Sequence, residues 1–204
     1  HQIESIDESV TVGTTAALVT TALDALQSAS ADYLVKGSFG TKTADVAAGA
    51  DARDVASAFN NIAGTTGVKA TAITRAKIAM AAIESGGASF SFTLKGKSST
   101  ASTVNASVVA TTNLTSLRDA INAVSGSTGI VASLNSAKDA VFITNDEGYD
   151  IIIGDLDTGT TSITANFSVN AMERDGTVDG TTQTLLGNTA ITDSTGIMGQ
   201  VILS

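Results

Sequence analysis

Cysteine, proline and tryptophan are absent from this 204-residue chain, and its one histidine is residue 1. Without cysteine, the chain can form neither a disulfide framework nor a thiolate metal site. Because the histidine stands at the terminus, the body of the chain also lacks the usual general base and the commonest metal ligand. Aromatic residues make up only 4% of the sequence, so we expect a core built mainly from alanine, valine, isoleucine and leucine.

Positive charge is scarce as well. The chain has 11 lysine and arginine residues against 20 aspartate and glutamate residues, which gives a formal net charge of −9. This balance argues against a nucleic-acid partner and against an anionic membrane surface. No apolar run approaches the roughly 20 residues that span a bilayer. With 43% hydrophobic residues, the composition is typical of a folded, polar-surfaced scaffold and not of a disordered acidic tail.

The first residues suggest how much of a protein this chain represents. Residues 1–12 (HQIESIDESVTV) contain neither the basic region nor the apolar region of a signal peptide. The chain also begins without methionine. We therefore expect a segment of a longer protein, with His1 left over from a tag or cloning site.

One short pattern occurs twice. The stretch NNIAGTTGV at 60–68 aligns with INAVSGSTGI at 121–130 at a constant offset of 62 residues, which matches Asn60 with Asn122 and Gly67 with Gly129. In each copy an amphipathic pattern is followed by a glycine-bounded turn and an alternating apolar pattern. These features predict a helix, a turn and a strand.

The first copy and the residues before it predict five elements. These are a strand at 3–12, a helix at 14–27, a hairpin of 33–40 with 41–49, a helix from Asp51 to Ala63 and a strand at 68–74. Asp51 is placed to accept hydrogen bonds from the free amides at the helix start. Gly64 is expected to adopt the left-handed conformation that ends the helix.

The second copy repeats this order with longer strands. It predicts strands at 90–97, 104–110, 130–134, 140–144 and 149–156, and a helix from Asn113 to Ser125. Asn113 is expected to cap that helix and Gly126 to end it. After residue 157 the sequence predicts a strand at 162–172, a turn at 175–180 and short strands at 183–186 and 199–204.

The predicted fold class is α+β and rich in β-structure, with two small strand–strand–helix–strand units and additional antiparallel strands. We expect residues 1–84 to form the first unit and residues 85–156 the second, which would be inserted as an outer tip. Residues 157–204 are expected to return and pack on the first unit.

The repeated asparagine suggests a packing role. Asn60 and Asn122 stand within one turn of the helix end, where a side-chain amide can bond backbone groups of the turn or of a neighbouring strand. This explains its recurrence without a ligand. We favour it over the alternative, a ligand site shared by the two copies.

Two longer stretches resemble a known motif. DVASAFNNIAGTTGVKATA and LRDAINAVSGSTGIVAS are similar to the IN motif of bacterial flagellins, which is named for an Ile-Asn pair. That pair stands here as Ile121-Asn122, whereas the first copy has Phe59-Asn60. DEGYDIIIGDL and NFSVNAMERDGTVDG also resemble flagellin outer-domain segments, so the resemblance covers about residues 33–180. The motif also occurs in filament-capping and hook-associated proteins.

The resemblance implies a structural role. The chain would be the surface-exposed outer region of flagellin, extracellular and secreted by the flagellar export apparatus, and it would contribute to motility and antigenicity. It would contact other flagellin subunits through terminal helices outside this sequence, so the fragment itself is expected to be monomeric. Flagellin outer domains often carry O-linked glycans on serine or threonine, so the resemblance implies this modification rather than N-linked glycans. One alternative is the outer domain of a capping or hook-associated protein.

A cell-surface adhesin or glycan-binding module is the alternative from another class. An exposed apolar or aromatic patch would favour it. The chain has only six phenylalanines and two tyrosines. Five of the phenylalanines lie on predicted core faces or strands, namely Phe59, Phe90, Phe92, Phe142 and Phe167.

We expect no catalytic, cofactor-binding or metal-binding residues, and no enzyme activity. The acidic clusters do not match an EF-hand loop and are interpreted as solvated turns; they are Asp146, Glu147 and Asp150, then Asp155 and Asp157, then Asp175 and Asp179. The sequence has no serine-hydrolase elbow, zinc-protease helix or phosphate loop. The glycine-rich GSFGTK at 37–42 is explained by a hairpin.

Two surface features remain. Three sites fit the N-glycosylation acceptor pattern, beginning at Asn105, Asn113 and Asn166. Positive residues at Lys69, Arg75 and Lys77 are interpreted as one solvated strand edge, where lysine discourages edge-to-edge pairing.

Overall fold

The structure, a computed structural model, describes residues 10–13, 30–159, 164–187 and 192–204. The strands among them are β1 (Val10–Gly13), β2 (Ala31–Lys36), β3 (Thr41–Val46), β4 (Ala70–Ile83), β5 (Ala88–Lys95), β6 (Ser102–Val108), β7 (Val131–Leu134), β8 (Ala140–Asn145), β9 (Ile151–Asp157), β10 (Ala165–Met172), β11 (Val178–Leu186), β12 (Ser194–Ile197) and β13 (Gln200–Leu203). The helices are α1 (Ala52–Asn61), α2 (Ala63–Thr66), α3 (Thr115–Ala123) and α4 (Ser125–Thr128).

The strands form three sheets, and every strand pair is antiparallel. One sheet has the order β1-β12-β9-β5-β6. A second has the order β11-β10-β4-β8-β7, with β13 also paired to β4, and β2 with β3 forms a two-stranded sheet. The chain is therefore rich in antiparallel β-structure with few helices, in agreement with the α+β class predicted from the sequence.

The main core lies between the two large sheets. Alternation places the apolar residues of β5 and β10 on facing surfaces, as expected for half-buried strands. Phe90 and Phe92 of β5 meet the edge of Phe167 of β10 with ring centroids 5.3 and 5.4 Å apart. Helix α3 contacts β6 and β7, an edge strand of each large sheet, and contributes the buried Leu117 and Ile121.

A second, smaller core lies under α1. This helix contacts β3, β13 and the beginning of β4. Its buried face carries Ala52, Ala56 and Phe59, in agreement with the helical spacing in the sequence. Strand β4 is 14 residues long and contributes to both cores, through Ala70 in the small one and Ile78 in the large one.

In both copies helical structure continues further along the chain than the sequence predicts, to Thr66 and to Thr128. A break at Ile62 and at Val124 is followed by the short helices α2 and α4, which contain Gly64 and Gly126. The predictions that Gly64 ends the first helix in a left-handed conformation and that Gly126 ends the second helix are wrong. Gly67 (φ 76°) and Gly129 (φ 69°) hold that position, because the chain makes one further helical turn before it reverses.

The basic residues of the first copy do not form the strand edge that the sequence predicts. Arg75 and Lys77 belong to β4, which pairs with β8 on one side and with β10 on the other. Lys69 precedes this strand and exchanges backbone hydrogen bonds with Ser204 at 2.9 Å. The interpretation of these residues as a solvated strand edge is therefore wrong. Strand β4 also continues to Ile83, nine residues beyond the predicted end.

Other expectations agree or lie outside the described residues. Three predicted elements are confirmed within a few residues. They are the hairpin of 33–49 as β2 and β3, the strand at 162–172 as β10, and the C-terminal strand as β13. Strand β12 is not among the predicted elements. The helix at 14–27 and most of the strand at 3–12 fall outside the described residues. Among the described helices, none is long and apolar enough to cross a membrane.

Candidate functional site

The repeated asparagine bonds the strand that follows its helix. Asn60 Nδ2 donates to the Ala70 carbonyl at 2.8 Å, and the Ala70 amide donates to Asn60 Oδ1 at 2.9 Å. Asn122 makes the same pair of bonds with Ala132, at 2.9 and 2.8 Å. We call this arrangement the asparagine lock. The hypothesis that this amide bonds a neighbouring strand is confirmed in both copies.

The lock works because an asparagine side chain carries the same donor and acceptor as a peptide group. Ala70 and Ala132 follow the reversing turns and are paired with a strand residue on one side only, Leu203 and Ile143 respectively. On the other side their backbone groups face the asparagine of the helix. The carboxamide supplies both missing partners there and leaves the local backbone groups satisfied. Its atoms are thus engaged in holding the helix to the strand, which favours the packing interpretation over a shared ligand site.

A threonine completes each turn. The Thr66 hydroxyl donates to the Ile62 carbonyl at 3.1 Å and accepts from the Val68 amide at 3.2 Å. Thr128 repeats this with Val124 and Ile130, at 3.0 and 3.2 Å. Both threonines are fully buried. The hydroxyl therefore joins the end of the helix to the start of the strand across the left-handed glycine.

The preceding hairpin is fastened to the same turn. The Phe39 amide donates to the Thr66 carbonyl at 3.2 Å, and the Lys97 amide donates to the Thr128 carbonyl at 2.8 Å. A Cβ at Gly37 or Gly96 would lie 1.8 or 2.4 Å from these same carbonyl oxygens. Only glycine allows the hairpin to approach so closely. Each unit is therefore a closed set of contacts between hairpin, helix and strand.

The two units meet at the turn after β8. The Arg53 amide at the start of α1 donates to the Gly148 carbonyl at 3.3 Å, and its guanidinium carbon lies 4.6 Å from the centre of the Tyr149 ring. Asn145 Oδ1 accepts from the amides of Glu147 and Tyr149 and so shapes this turn. We call residues 145–149, together with Arg53, the joint.

The caps of the two main helices differ. Asp51 accepts a hydrogen bond from the Asp54 amide at 2.9 Å, so its predicted capping role is confirmed. Burial raises the pKa of Asp51 above its usual value, although the Asp54 amide opposes this shift. Asn113 accepts from the amide and hydroxyl of Thr115 at 3.2 and 2.7 Å, while α3 itself begins at Thr115.

The acidic residues of the sequence clusters lie on turns and strands. Glu147 pairs with Lys97 at 2.7 Å, and the Lys97 pKa is raised by this hydrogen bond. Asp157 accepts from the Gly159 amide, and Asp175 accepts from the Thr177 amide and hydroxyl, which lower the Asp175 pKa. Within the described ranges, no three acidic, histidine or cysteine side chains are placed to hold a metal ion.

Asp193 is a buried carboxylate that the sequence did not reveal as special. It is 8% exposed and accepts from the Ser194 hydroxyl at 2.9 Å, while that hydroxyl accepts from the Asp155 amide at 3.0 Å. Burial raises the Asp193 pKa, and the nearby charges of Asp155 and Asp157 raise it further. No charge periodicity marks this residue, because its burial depends on the pairing of β12 with β9.

An open depression of about 480 Å³ lies where β5 and β6 meet residues 157–159. Its described lining is mostly hydroxyl and amide side chains, with Phe90 below and Asp157 as its carboxylate. A glycosidase mechanism uses two carboxylates across the bond that is cleaved. Among the described residues, this lining supplies one, Asp157.

The three acceptor asparagines have different surroundings. Asn105 is exposed on the edge strand β6. Asn113 is engaged with Thr115, and Asn166 accepts from the Gly187 amide at 3.4 Å. Glycosylation at any of them stays a prediction; Asn105 and Asn113 are exposed, whereas Asn166 is half-buried.

One protein family has a model that matches part of this chain. Residues 89–146 match the flagellin hook IN motif. The match begins in β5 and ends just after β8, so it includes α3 and the second asparagine lock. The resemblance stated from the sequence is thereby confirmed for the second copy. The first copy has the same lock, threonine and hairpin contacts.

Two solved structures show weak similarity. The flagellar cap protein FliD D1-D2-D3 domains from Escherichia coli are 15% identical over 93% of this chain and 59% of that chain, with a TM-score of 0.26. The FliD D2-D3 domains from the same organism are 12% identical over 69% of this chain and 95% of that chain, with a TM-score of 0.22. This chain thus spans less than two thirds of the first structure. A comparison with curated protein sequences finds no significant match.

Proposed function

Starting from the flagellin hook IN motif at residues 89–146, we propose that this chain is the surface-exposed outer region of a bacterial flagellin. Its role is structural and not enzymatic. It lies outside the cell on the filament, where it forms part of the filament surface, presents antigenic surface and supports motility. Its net charge of −9 helps to keep filaments apart in solution.

The observation that carries this proposal is the IN motif itself, which coincides with a complete packing unit. The unit consists of the hairpin β5–β6, the helix α3 and the hairpin β7–β8. The side chains of its Asn122 and Thr128 form hydrogen bonds with backbone groups of the same unit. A motif whose repeated asparagine and threonine hold its own elements together supports a scaffold function.

The proposed domain division is 1–84, 85–156 and 157–204, with the second segment as the outer tip. The pairing of β10 and β13 with β4 supports the return of the last segment to the first. Strands β8 and β12 also join the segments, since β8 pairs with β4 and β12 with β9. Contacts to other subunits in the filament shaft are proposed to come from helices outside this sequence.

Immunogold electron microscopy of cells that produce this protein tests the proposal. Antibodies raised against residues 30–204 should label the whole length of the filament. Label confined to the filament tip would make the protein a capping protein, and label at the hook junction a hook-associated protein. Label on the cell body with bare filaments would refute the filament assignment and favour the adhesin.

A further inference from the structure

We propose that β2 pairs with β2 of a second copy of this chain in a two-fold symmetric, antiparallel contact. Within the described ranges, β2 pairs with β3 alone. Its counterpart in the second unit, β5, pairs with β6 on one side and with β9 on the other. Among the described residues, the first unit therefore presents an open strand edge, on β2, where the second unit has β9 paired to β5.

The open edge carries apolar side chains. Leu34 is 62% exposed and Tyr33 is 38% exposed. Val35 is only half-buried against the small core. Exposed apolar edge strands pair readily with other strands, and proteins usually shield them. Partner strands on this edge would cover the side chains that the small core leaves in solvent.

Backbone geometry limits how a second strand can pair here. The Gly37 amide donates to the Gly40 carbonyl at 2.9 Å at the end of the β2–β3 hairpin. Hydrogen-bonded and non-bonded pairs alternate along an antiparallel ladder. The backbone groups of Asp32, Leu34 and Lys36 therefore point away from β3, towards the open edge. A second copy of β2 must offer the same three residues in return.

Charge then selects one register. When Leu34 lies opposite the partner's Leu34, Asp32 lies opposite the partner's Lys36, and the symmetric pair forms at the other end. Shifting the register by one step in either direction loses both opposite-charge pairs. Opposite charges directly across a strand pair are stabilising, and like charges are destabilising.

The hairpin itself has a charge conflict that this pairing relieves. Asp32 lies directly across from Asp45 on β3, and both are exposed. The partner's Lys36 would place a positive charge on the other side of Asp32. This self-complementary pattern of apolar centre and opposite-charged ends argues for a second copy as the occupant, because a two-fold contact uses the same patch twice.

The inference opposes the monomeric state expected from the sequence. A lysine on an edge strand can also act as a guard against pairing. The two roles of Lys36 make opposite predictions. If Lys36 prevents pairing at this edge, replacing it increases the self-association of the chain or leaves it unchanged. If Lys36 pairs with Asp32 of the partner subunit, replacing it decreases the self-association.

Sedimentation equilibrium over a wide concentration range tests the charge pattern. We expect the chain to self-associate weakly and reversibly, and Lys36→Asp to weaken the association constant at least ~10-fold. The double variant Asp32→Lys/Lys36→Asp should restore it. Lys42→Asp is the matched control, because it makes the same charge change on β3, away from the open edge. Far-UV circular dichroism checks that each variant is folded.

Single-cysteine cross-linking tests the register, since the native chain has no cysteine. In the proposed pairing the two Leu34 Cα atoms are about 5.5 Å apart, within the range that a disulfide accepts. Leu34→Cys should therefore form a covalent dimer on mild oxidation. Thr43→Cys lies across from Leu34 on β3 and would be about 14 Å from its symmetry mate, so it should not.

Three results would overturn the proposal. They are a chain that stays monomeric with no Leu34→Cys cross-link, a double charge swap that fails to restore an association lost in Lys36→Asp, and equal cross-linking of Leu34→Cys and Thr43→Cys. None of them bears on the flagellar assignment, which the labelling of filaments tests separately.

Discussion

Asn60 and Asn122 show, at the scale of single residues, how one side chain can stand in for a strand neighbour. Each makes two hydrogen bonds to one backbone position ten residues further along the chain. Removing the amide leaves an amide N–H and a carbonyl without those partners, and an unmade buried hydrogen bond costs more than a made one contributes. The lock is therefore open to a direct test.

We expect Asn122→Ala to lower the free energy of unfolding by about 1–3 kcal/mol, as measured by urea denaturation. Asn60→Ala should lower the free energy of unfolding by less, because Asn60 is exposed whereas Asn122 is half-buried. Water can therefore replace part of the hydrogen bonding that the Asn60 side chain provides. Asn61→Ala is the matched control, since it removes an exposed asparagine from the adjacent helical position. Equal effects at residues 60 and 61 would contradict the lock.

The glycines of the second unit should respond in opposite ways to alanine. Gly96→Ala places a Cβ 2.4 Å from the Thr128 carbonyl oxygen and should destabilise by about 1–3 kcal/mol through overpacking. Gly126 has nothing within 4 Å of such a Cβ and lies inside α4. Gly126→Ala should therefore stabilise by about 0.4–1 kcal/mol. Thermal melts of both variants decide this, and a loss of stability in Gly126→Ala would contradict the placement of Gly126 inside α4.

Asp193 should make the stability depend on pH. Its folded pKa is raised by burial and by Asp155 and Asp157. Between the ordinary pKa of an aspartate and that raised pKa, the folded state therefore binds more protons than the unfolded state. Its unfavourable contribution therefore appears as pH rises through this window. Asp193→Asn should raise the melting temperature at pH 7 and leave it nearly unchanged at pH 3. A gain of equal size at both pH values would exclude this cause.

Secondary-structure elements with a clear period were predictable from the sequence, and the others were not. The alternation in β10 and the helical spacing of α1 and α3 identify those elements and their buried faces. Strand β12 is short and buried at all four positions, so it has no alternation to detect. The end of β4 is rich in alanine, a residue depleted in strands, which hides its continuation to Ile83.

The lock was only partly predictable. Its position near the helix end and its repetition pointed to a backbone partner, but the identity of Ala70 and Ala132 depends on how far the chain turns before it reverses. The joint gave no repeating signal, because Arg53 and Tyr149 are distant in sequence and meet only after β8 has paired with β4. Pairing between distant strands is a tertiary property that local periodicity does not record.

The joint between the units should be sensitive to one added methyl group. Gly148 has φ +81°, and a Cβ there would lie 2.3 Å from the Ala72 Cβ. Gly176 has φ +89° with nothing within 4 Å. Both alanine variants carry the left-handed strain of about 1–2 kcal/mol, and Gly148→Ala should cost about 1–3 kcal/mol more through overpacking. Equal unfolding free energies of the Gly148→Ala and Gly176→Ala variants in urea would mean that the joint has room for the added methyl group.

The described residues contain two packing units of similar design, and the hydrophobic cores beneath them differ in size. Among the described residues, the core under α1 contains seven buried apolar side chains, whereas the core between the large sheets contains 26. Burial of apolar surface is the main source of folding stability. Strand β4 contributes buried residues to both cores. The small core therefore packs against a strand that is also stabilised by the large core.

This inequality predicts an order of opening that two equivalent amides can report. The amides of Ala70 and Ala132 donate to Oδ1 of Asn60 and Asn122 at 2.9 and 2.8 Å, so their local bonds are alike. Native-state hydrogen exchange should show Ala132 exchanging only through global unfolding, and Ala70 exchanging faster through opening of the small core. Phe59→Ala should accelerate Ala70 far more than Ala132, because Phe59 packs only in that core. Equal protection of both amides in the native chain would show instead that β4 makes the two units a single cooperative structure.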